Sequence, residues 1–588
     1  MPRILKVIYN NLCTVRRPLI SWYLKKKAKE LLSKEKGTVY KEWGGKVSVC
    51  LVYPNSYFLG MSNLGFQAIY HLLNSLDYVV CERAFLPDDK DIAEFQRTGT
   101  PLFSLESQRP LTEFDIIAFS VSFEEDYLNI LKIFDLARIS FLSQARDATK
   151  PLIMAGGVAV SLNPEPIADF FDLFAIGEGE EFVSEFLDAF QSAQYNAKTK
   201  EHLLEALIPV EGVYIPSFYK IVYQGNFIKE FTPVKGSPAK VKSRKVKKLD
   251  VFPAPSSHIL TRETNFSNTY LVEIERGCGR GCRFCAAGFV YLPPRERELN
   301  GLKKEVLKGM GLTQKVGLVG AAVSEYSDLK ALCGTVIEGD GELTLSSIRL
   351  DVLNKETLKL LKEGGYKTIT IAPEAGSERL RNVINKNFSE KDIIEAINLI
   401  SASGIQKLKL YFIIGLPTET LDDINAITEL TLRIKSAMQG GLITLSINPF
   451  IPKPFTPFQW CAYEDIKSLK NKMGIIKNGL KNEKGIKITS LSPREGYIQL
   501  LLSVGDRRIG KILVDAHKKA WKAALKEAEF DADFYVRSIR NLSEILPWDF
   551  IDSRIKKEYL WKEYQRALKA QTTPPCDVGK CVRCGVCI

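Results

Sequence analysis

Residues 276–297 read RGCGRGCRFCAAGFVYLPPRER. Cys278, Cys282 and Cys285 stand in a C-x3-C-x2-C arrangement, with Phe284 directly before the third cysteine. Thiolates this close in sequence can wrap one soft metal centre, and Gly277, Gly279 and Gly281 let the backbone curl around it. A cubane iron–sulfur cluster takes four cysteine ligands. Three in one loop therefore leave one iron open to a ligand that is not protein. Half of a zinc site, or three buried core cysteines, would leave the missing fourth ligand unexplained. The preceding stretch, Tyr270 to Glu275, alternates and is β-branched-rich, which predicts a strand. The loop then sits at a strand's carboxyl end, where α/β barrels place their chemistry.

The spacing and its aromatic resemble the signature of radical S-adenosylmethionine (SAM) enzymes. The resemblance implies a 4Fe–4S cluster on Cys278, Cys282 and Cys285, with SAM chelating the open iron through its amino and carboxylate groups. It also implies reductive cleavage of SAM to methionine and a 5′-deoxyadenosyl radical, with an external donor such as ferredoxin or flavodoxin supplying the electron.

Downstream, apolar runs alternate with helical patterns. The expected strands are KVGLVGAA, LTLSSIRLDVL, TITIAPEAGS, KLKLYFIIGLPTET and LITLSINPFIPKP. With the strand before the loop they make six, a partial (β/α)6 TIM-type barrel over residues 259–461, which is the fold the resemblance implies. Within it, GLPTE (Gly415, Pro417) resembles the element that packs on adenine, and APEAGSERL (Glu374) resembles the fourth-strand loop. Arg349 stands where the family holds SAM's carboxylate or ribose, and Phe284 belongs to the cofactor site. NPFIPKPFTPFQW resembles the sixth-strand segment of methylthiotransferases and their cobalamin-dependent relatives. The family's G-G-E, which binds SAM's amino group, is replaced by Gly320-Ala321-Ala322.

Upstream, residues 41–233 alternate in the same way and predict a Rossmann-like, doubly wound parallel sheet whose ligands bind at the strands' carboxyl ends. Polar and glycine residues gather at those ends: Asn55 to Ser62, Ser120 and Ser122, Gly156-Gly157, and Gly177 to Gly179. This half resembles the cobalamin-binding domain that precedes many radical SAM domains, implying cobalamin contacts at Asn55, Gly60, Ser120, Ser122, Gly156 and Gly157. The D-x-H-x-x-G loop of histidine-ligated relatives reads YPNSYFLGMSNLG here, so cobalamin would lack a protein histidine below the cobalt. His71 falls in a helical pattern and reads as a packing residue; a scaffold without cofactor is the alternative for this half.

A length of 588 residues predicts several domains, and 45% hydrophobic with 26% charged residues is ordinary for a globular chain. No run of 18 apolar residues exists, so no transmembrane segment is expected. Much of the net charge of +12 lies in residues 1–40, a basic helical segment, and in the Lys/Pro/Ser-rich 234–258, read as a solvated linker. Residues 462–573 read as helical and charged, with His517 exposed. The chain closes with CDVGKCVRCGVCI, in which Cys576, Cys581, Cys584 and Cys587 occupy residues 574–588 at C-x4-C-x2-C-x2-C. That spacing is closer to ferredoxins than to paired zinc knuckles, so a second iron–sulfur cluster is preferred over zinc. Clustered thiols without an export signal imply a reducing cytoplasmic setting.

The functional expectation is a cobalamin-dependent radical SAM methyltransferase acting on an unactivated carbon. A cobalamin-independent methylthiotransferase acting on RNA or protein is the alternative, though Cys13, Cys50 and Cys81 lack cluster spacing. A non-catalytic iron–sulfur protein for electron transfer or RNA binding would leave the SAM motifs unused. The substrate (protein, RNA or small molecule) and the catalytic residues are not legible.

Overall fold

The computed structural model describes residues 21–147, 150–345 and 348–587. Residues 1–20 of the basic segment, Cys13 among them, lie outside that range. Its remainder contributes helix α1 (Trp22–Ser33). No described helix is long and apolar enough to cross a membrane.

The first half is built on a six-stranded sheet. Its strands are β1 (Val47–Tyr53), β2 (Val79–Phe85), β3 (Ile116–Ser120), β4 (Leu152–Gly156), β5 (Leu173–Ala175) and β6 (Val213–Tyr214), in the order β2-β1-β3-β4-β5-β6. All neighbours are parallel except β5 and β6. Every residue of β1 and β2 is buried, as a sheet covered on both faces requires. Helices α2 (Leu64–Ser75) and α3 (Gly179–Asn196) pack against each other over one part of it.

The second half starts with β7 (Tyr270–Glu273), the strand that feeds the cysteine loop. It pairs in parallel with β8 (Lys315–Val319), which pairs with β9 (Glu342–Leu345). A four-stranded parallel sheet follows: β10 (Thr368–Glu374), β11 (Lys407–Ile414), β12 (Leu442–Pro449) and β13 (Ile486–Ser490). The first of these two sheets closes over its own apolar cluster, with Val272, Val316, Leu318 and Leu343 at its centre. Two expectations change here. Among the described residues the strands of these two sheets number seven rather than six, because β13 adds to β12 from a region read as helical. The third strand also ends at Leu345, which leaves Arg349 on the loop beyond it.

The Lys-rich segment 234–258 is not a solvated linker. Val241–Lys242 pairs in parallel with Ile551–Asp552, and Arg297 donates to the carbonyls of Leu249 and Phe252 at 2.8 and 3.0 Å. Lys245 is only 6% exposed and donates to Leu292 O and Ser553 O at 3.0 and 2.9 Å. Burial lowers its pKa to about 8. The charge run misled because its one buried ammonium, Lys245, and its paired backbone found partners on distant elements, while its other lysines stay exposed. His517 likewise departs from the exposed reading: its ring bonds Asp135 and stands edge-on to Phe141, joining the C-terminal helices to the helix Tyr127–Ala137 beside the first sheet.

Candidate cofactor site: the cysteine loop and the cavity above it

The loop leaves β7 through Gly277 (φ 90°) and turns again at Gly281 (φ 67°), both left-handed. A Cβ on Gly277 would overlap the Tyr291 carbonyl, so the turn requires glycine. Arg283, between the second and third cysteines, is fully buried. It donates to the carbonyls of Asn382 and Val383 at 3.1 and 2.9 Å and pairs with Glu563 at 3.1 Å. Asn385 donates to Arg280 O and Gly281 O, each at 3.2 Å. The loop is thereby clamped from outside.

The three thiols lie close enough to sense one another's charge. Burial, reinforced by the neighbouring cysteines, pushes Cys278 up to about 12 and Cys285 to about 11. Among the described residues, no group of three or more His, Cys, Asp or Glu side chains is drawn to metal-ligating geometry, and the loop cysteines are free thiols. The donor set nonetheless fits an iron–sulfur cluster: soft sulfur ligands, glycine turns, and a rigid buried support.

Arg349 lies beside this loop. It pairs with Glu325 at 2.7 Å and Asp351 at 3.0 Å, and Arg280 meets the same two acids at 2.6 and 3.3 Å. Phe284 and Glu374 line a cavity of ≈ 290 Å³ together with Tyr411, Asn448 and Lys453. Gly415 and Pro417 are outside that lining. Gly415 N–H donates to Glu419 at 2.9 Å, and Lys472 holds the same carboxylate at 2.7 Å, so this motif braces its own turn.

A larger cavity, ≈ 680 Å³, runs from the carboxyl edge of the first sheet to the cysteine loop. Ser120, Ser122, Gly156 and Gly157 line it, as do Gly277 and Tyr291 of the loop. It continues inward between the sheet (Leu51, Ala118, Met154) and helices α2 and α3 (Ile69, Leu72, Val183, Phe186). Asn55 and Gly60 do not line it: Asn55 donates to Asp126 at 2.6 Å, and Gly60 lies against Phe85 and Tyr53. Asn63, which sequence reasoning passed over, takes their place and donates to Ser122 at 3.0 Å. His71 reaches the rim stacked on His258, ring centroids 3.5 Å apart. Burial lowers both imidazoles, and with His71 beside it His258 falls to about 3.

Where the cavity meets the loop, Glu178 accepts from Arg295 at 2.6 Å and Arg276 at 3.1 Å, while Arg276 also reaches Glu180 and Glu273 at 2.6 and 2.9 Å. Burial alone would raise Glu178, yet the two guanidiniums outweigh it and hold the carboxyl below its ordinary value. Removing one partner of such a buried pair typically costs about 3–5 kcal/mol. This network fixes the first sheet's edge against the loop.

Glu275 was also missed by sequence reasoning. Its carboxylate accepts the Ala322 N–H at 2.6 Å, inside the Gly320–Ala322 turn that departs from G-G-E. Burial raises its pKa to about 7, with Glu273, Glu296 and Glu325 adding to the shift. An acid three residues before the first cysteine was the available signal.

Both halves match known families. Residues 65–216 match the family model "Radical SAM proteins, N-terminal", and residues 272–431 match "Radical SAM superfamily". The chain belongs to the radical SAM superfamily, whose members use a 4Fe–4S cluster and SAM. It is 32% identical over 468 residues to the uncharacterized protein MJ0966 of Methanocaldococcus jannaschii, covering 79% of this chain and 90% of that one. It is 26% identical over 203 residues to the tRNA-2-methylthio-N(6)-dimethylallyladenosine synthase of Anaplasma marginale, 32% of this chain and 43% of that one. Among solved structures it is similar to TsrM of Kitasatospora setae, a radical SAM methyltransferase with cobalamin and a 4Fe–4S cluster bound (TM-score 0.47, 13% identity, 68% of this chain and 75% of that chain). Likeness at that level bears on neither cofactor nor substrate.

Proposed function

We propose that this chain is a cobalamin-dependent radical SAM methyltransferase acting on an unactivated carbon. The ≈ 680 Å³ cavity carries the reading, because its lining runs from the sheet's carboxyl edge inward between sheet and helices. A corrin ring would sit at that edge, and its nucleotide tail would reach inward. When bound, the iron–sulfur cluster supplies the electron that splits SAM, and cobalamin supplies the methyl carrier.

The chain's own residues do the positioning. Gly157 (φ 114°) turns so that a Cβ would overlap the Val121 carbonyl, which brings the backbone close to the cavity. Ser122 and Asn63 give it a polar rim, while Ile69, Leu72 and Phe186 keep its depth dry. The loop after β1 offers the cobalt neither Asp nor His. The Glu178, Arg276 and Arg295 network holds the cavity at a fixed distance from the cysteine loop. Phe284 and Glu374, with Lys453, are the groups SAM would meet in the smaller cavity.

Hydroxocobalamin uptake by the reconstituted protein tests this. At Gly156 an added Cβ meets nothing closer than Ala175 at 3.5 Å, so Gly156→Leu fills the cavity without breaking the turn. The expected result is at least tenfold weaker cobalamin binding, about 1.4 kcal/mol, with iron content unchanged. No uptake by the wild-type protein would favour a methylthiotransferase-like enzyme, although Cys50 and Cys81 lie buried in β1 and β2 and offer that reading no second cluster.

A further inference from the structure

The four cysteines of the tail do not stand apart from the loop. Cys576 N–H donates to Gly279 O at 2.7 Å, bonding the tail to the residue after Cys278. One small cavity, ≈ 30 Å³, is lined by Cys278 together with Cys576, Cys581 and Cys584. The approach to the tail is anchored on the same loop. Arg283 donates to Gln571 O at 2.7 Å, and Asn385 accepts the Thr573 N–H at 2.8 Å. Arg583 gathers the tail itself, donating to Cys581 Sγ at 3.1 Å and to the carbonyls of Pro574 and Pro575 at 2.8 and 2.9 Å. The small cavity shares no lining residue with either larger one, so the tail touches neither the cofactor cavity nor the barrel cavity. Cys584 is buried toward the loop, while Val578 and Val582 are 51% and 63% exposed on either side of Lys580, which pairs with the exposed Asp577 at 3.3 Å.

We propose that the tail holds a second, redox-active iron–sulfur centre that takes one electron from an external low-potential donor protein and passes it to the loop centre. The donor is oxidised by one electron as the tail centre is reduced. The tail centre is then reoxidised as the loop centre is reduced, and no atom or proton is transferred. The inference rests on reading the loop as a cluster site. Three observations carry it. The C-x4-C-x2-C-x2-C spacing is ferredoxin-like, whereas zinc would be redox-inert. The tail covers the loop on the side where it docks, so a donor arriving there meets the tail first. Its solvent side presents Val578 and Val582 beside a Lys580–Asp577 ion pair, a small apolar patch on which a redox protein could dock.

The protein, reconstituted anaerobically, is compared with Cys581→Ala/Cys584→Ala and with Cys587→Ser, a single-atom change at a partly exposed thiol outside the sheets. Iron should fall from about eight to about four atoms per chain. The reduced wild-type protein should show two cluster signals by electron paramagnetic resonance, only one of which shifts on adding SAM; the variants should retain that one alone. The ratio of SAM cleavage driven by reduced flavodoxin to that driven by dithionite should drop at least about tenfold, or ~1.4 kcal/mol in barrier. An unchanged ratio, or one zinc per chain at the tail, overturns the relay while leaving the loop reading intact. Wild-type protein that cleaves SAM with neither reductant overturns the loop reading, and the relay with it.

Discussion

The cysteine loop and the cysteine tail use the same local chemistry and are ordered by different means. Each packs its thiols into a dozen residues or fewer and turns at left-handed glycines, Gly277 and Gly281 in one, Gly579 and Gly585 in the other. The loop grows out of a buried strand and is held by a wholly buried guanidinium and by Asn385. The tail follows no strand. It leans on that same loop, on Arg583, and on Lys556, whose backbone N–H donates to Cys584 O at 3.0 Å. The difference teaches where order comes from: packing supplies it in the loop, whereas the tail takes it from its neighbour and, under the proposed relay, from the metal centre it would hold.

The comparison can be broken at four points. The largest effect belongs to Cys282→Ala: two thiolates cannot hold a cubane with an open iron, so dithionite-driven formation of 5′-deoxyadenosine should fall at least about a thousandfold, ~4 kcal/mol in barrier. Comparable turnover in that variant would remove the loop from the chemistry.

Arg283→Ala comes next. It removes the buried guanidinium paired with Glu563, which keeps only Thr573 and Arg566, and frees three backbone carbonyls, so chemical denaturation should show a loss of about 2–4 kcal/mol. The tail should become protease-sensitive at the same time. A stable variant with a protected tail would mean that the tail orders itself.

Glu275 sharpens the loop's side of the comparison. Its folded pKa is raised to about 7, above the ordinary 4.5. The stability it contributes is therefore fully present below pH 4.5 and is lost as pH rises through about 7. Before SAM is added, wild-type protein should lose ~1–3 kcal/mol between about pH 5 and 8 relative to Glu275→Gln, whose melting temperature should vary less with pH. A steeper pH dependence in the glutamine variant would contradict the buried-carboxyl assignment.

Arg583→Ala probes the tail most gently. Losing its bonds to Cys581 Sγ and two proline carbonyls should weaken metal retention there by about 1 kcal/mol, seen as faster iron release to a chelator, with the loop's iron unaffected. Equal release from both sites would erase the distinction between them.

Sequence alone determined the pieces whose physics is local. Ligand spacing around Cys278, Cys282 and Cys285 is set within eight residues, and the strand–helix alternation is written in side-chain periodicity. Burial of β1 follows from its mostly apolar run, whereas β2 also buries Glu82 and Arg83, which only distant partners such as Ser104 and Glu106 satisfy. Only the tertiary structure decided what depends on partners far along the chain. Lys245 reads as solvated until Leu292 and Ser553 supply its carbonyls, and His71 reads as an ordinary helix residue until His258 stacks on it. Asn63 replaced Asn55 at the cavity because helix packing, rather than motif order, chose which side chain faced inward. The tail's place against Gly279 was equally invisible, since a backbone hydrogen bond across almost three hundred residues leaves no periodicity to read.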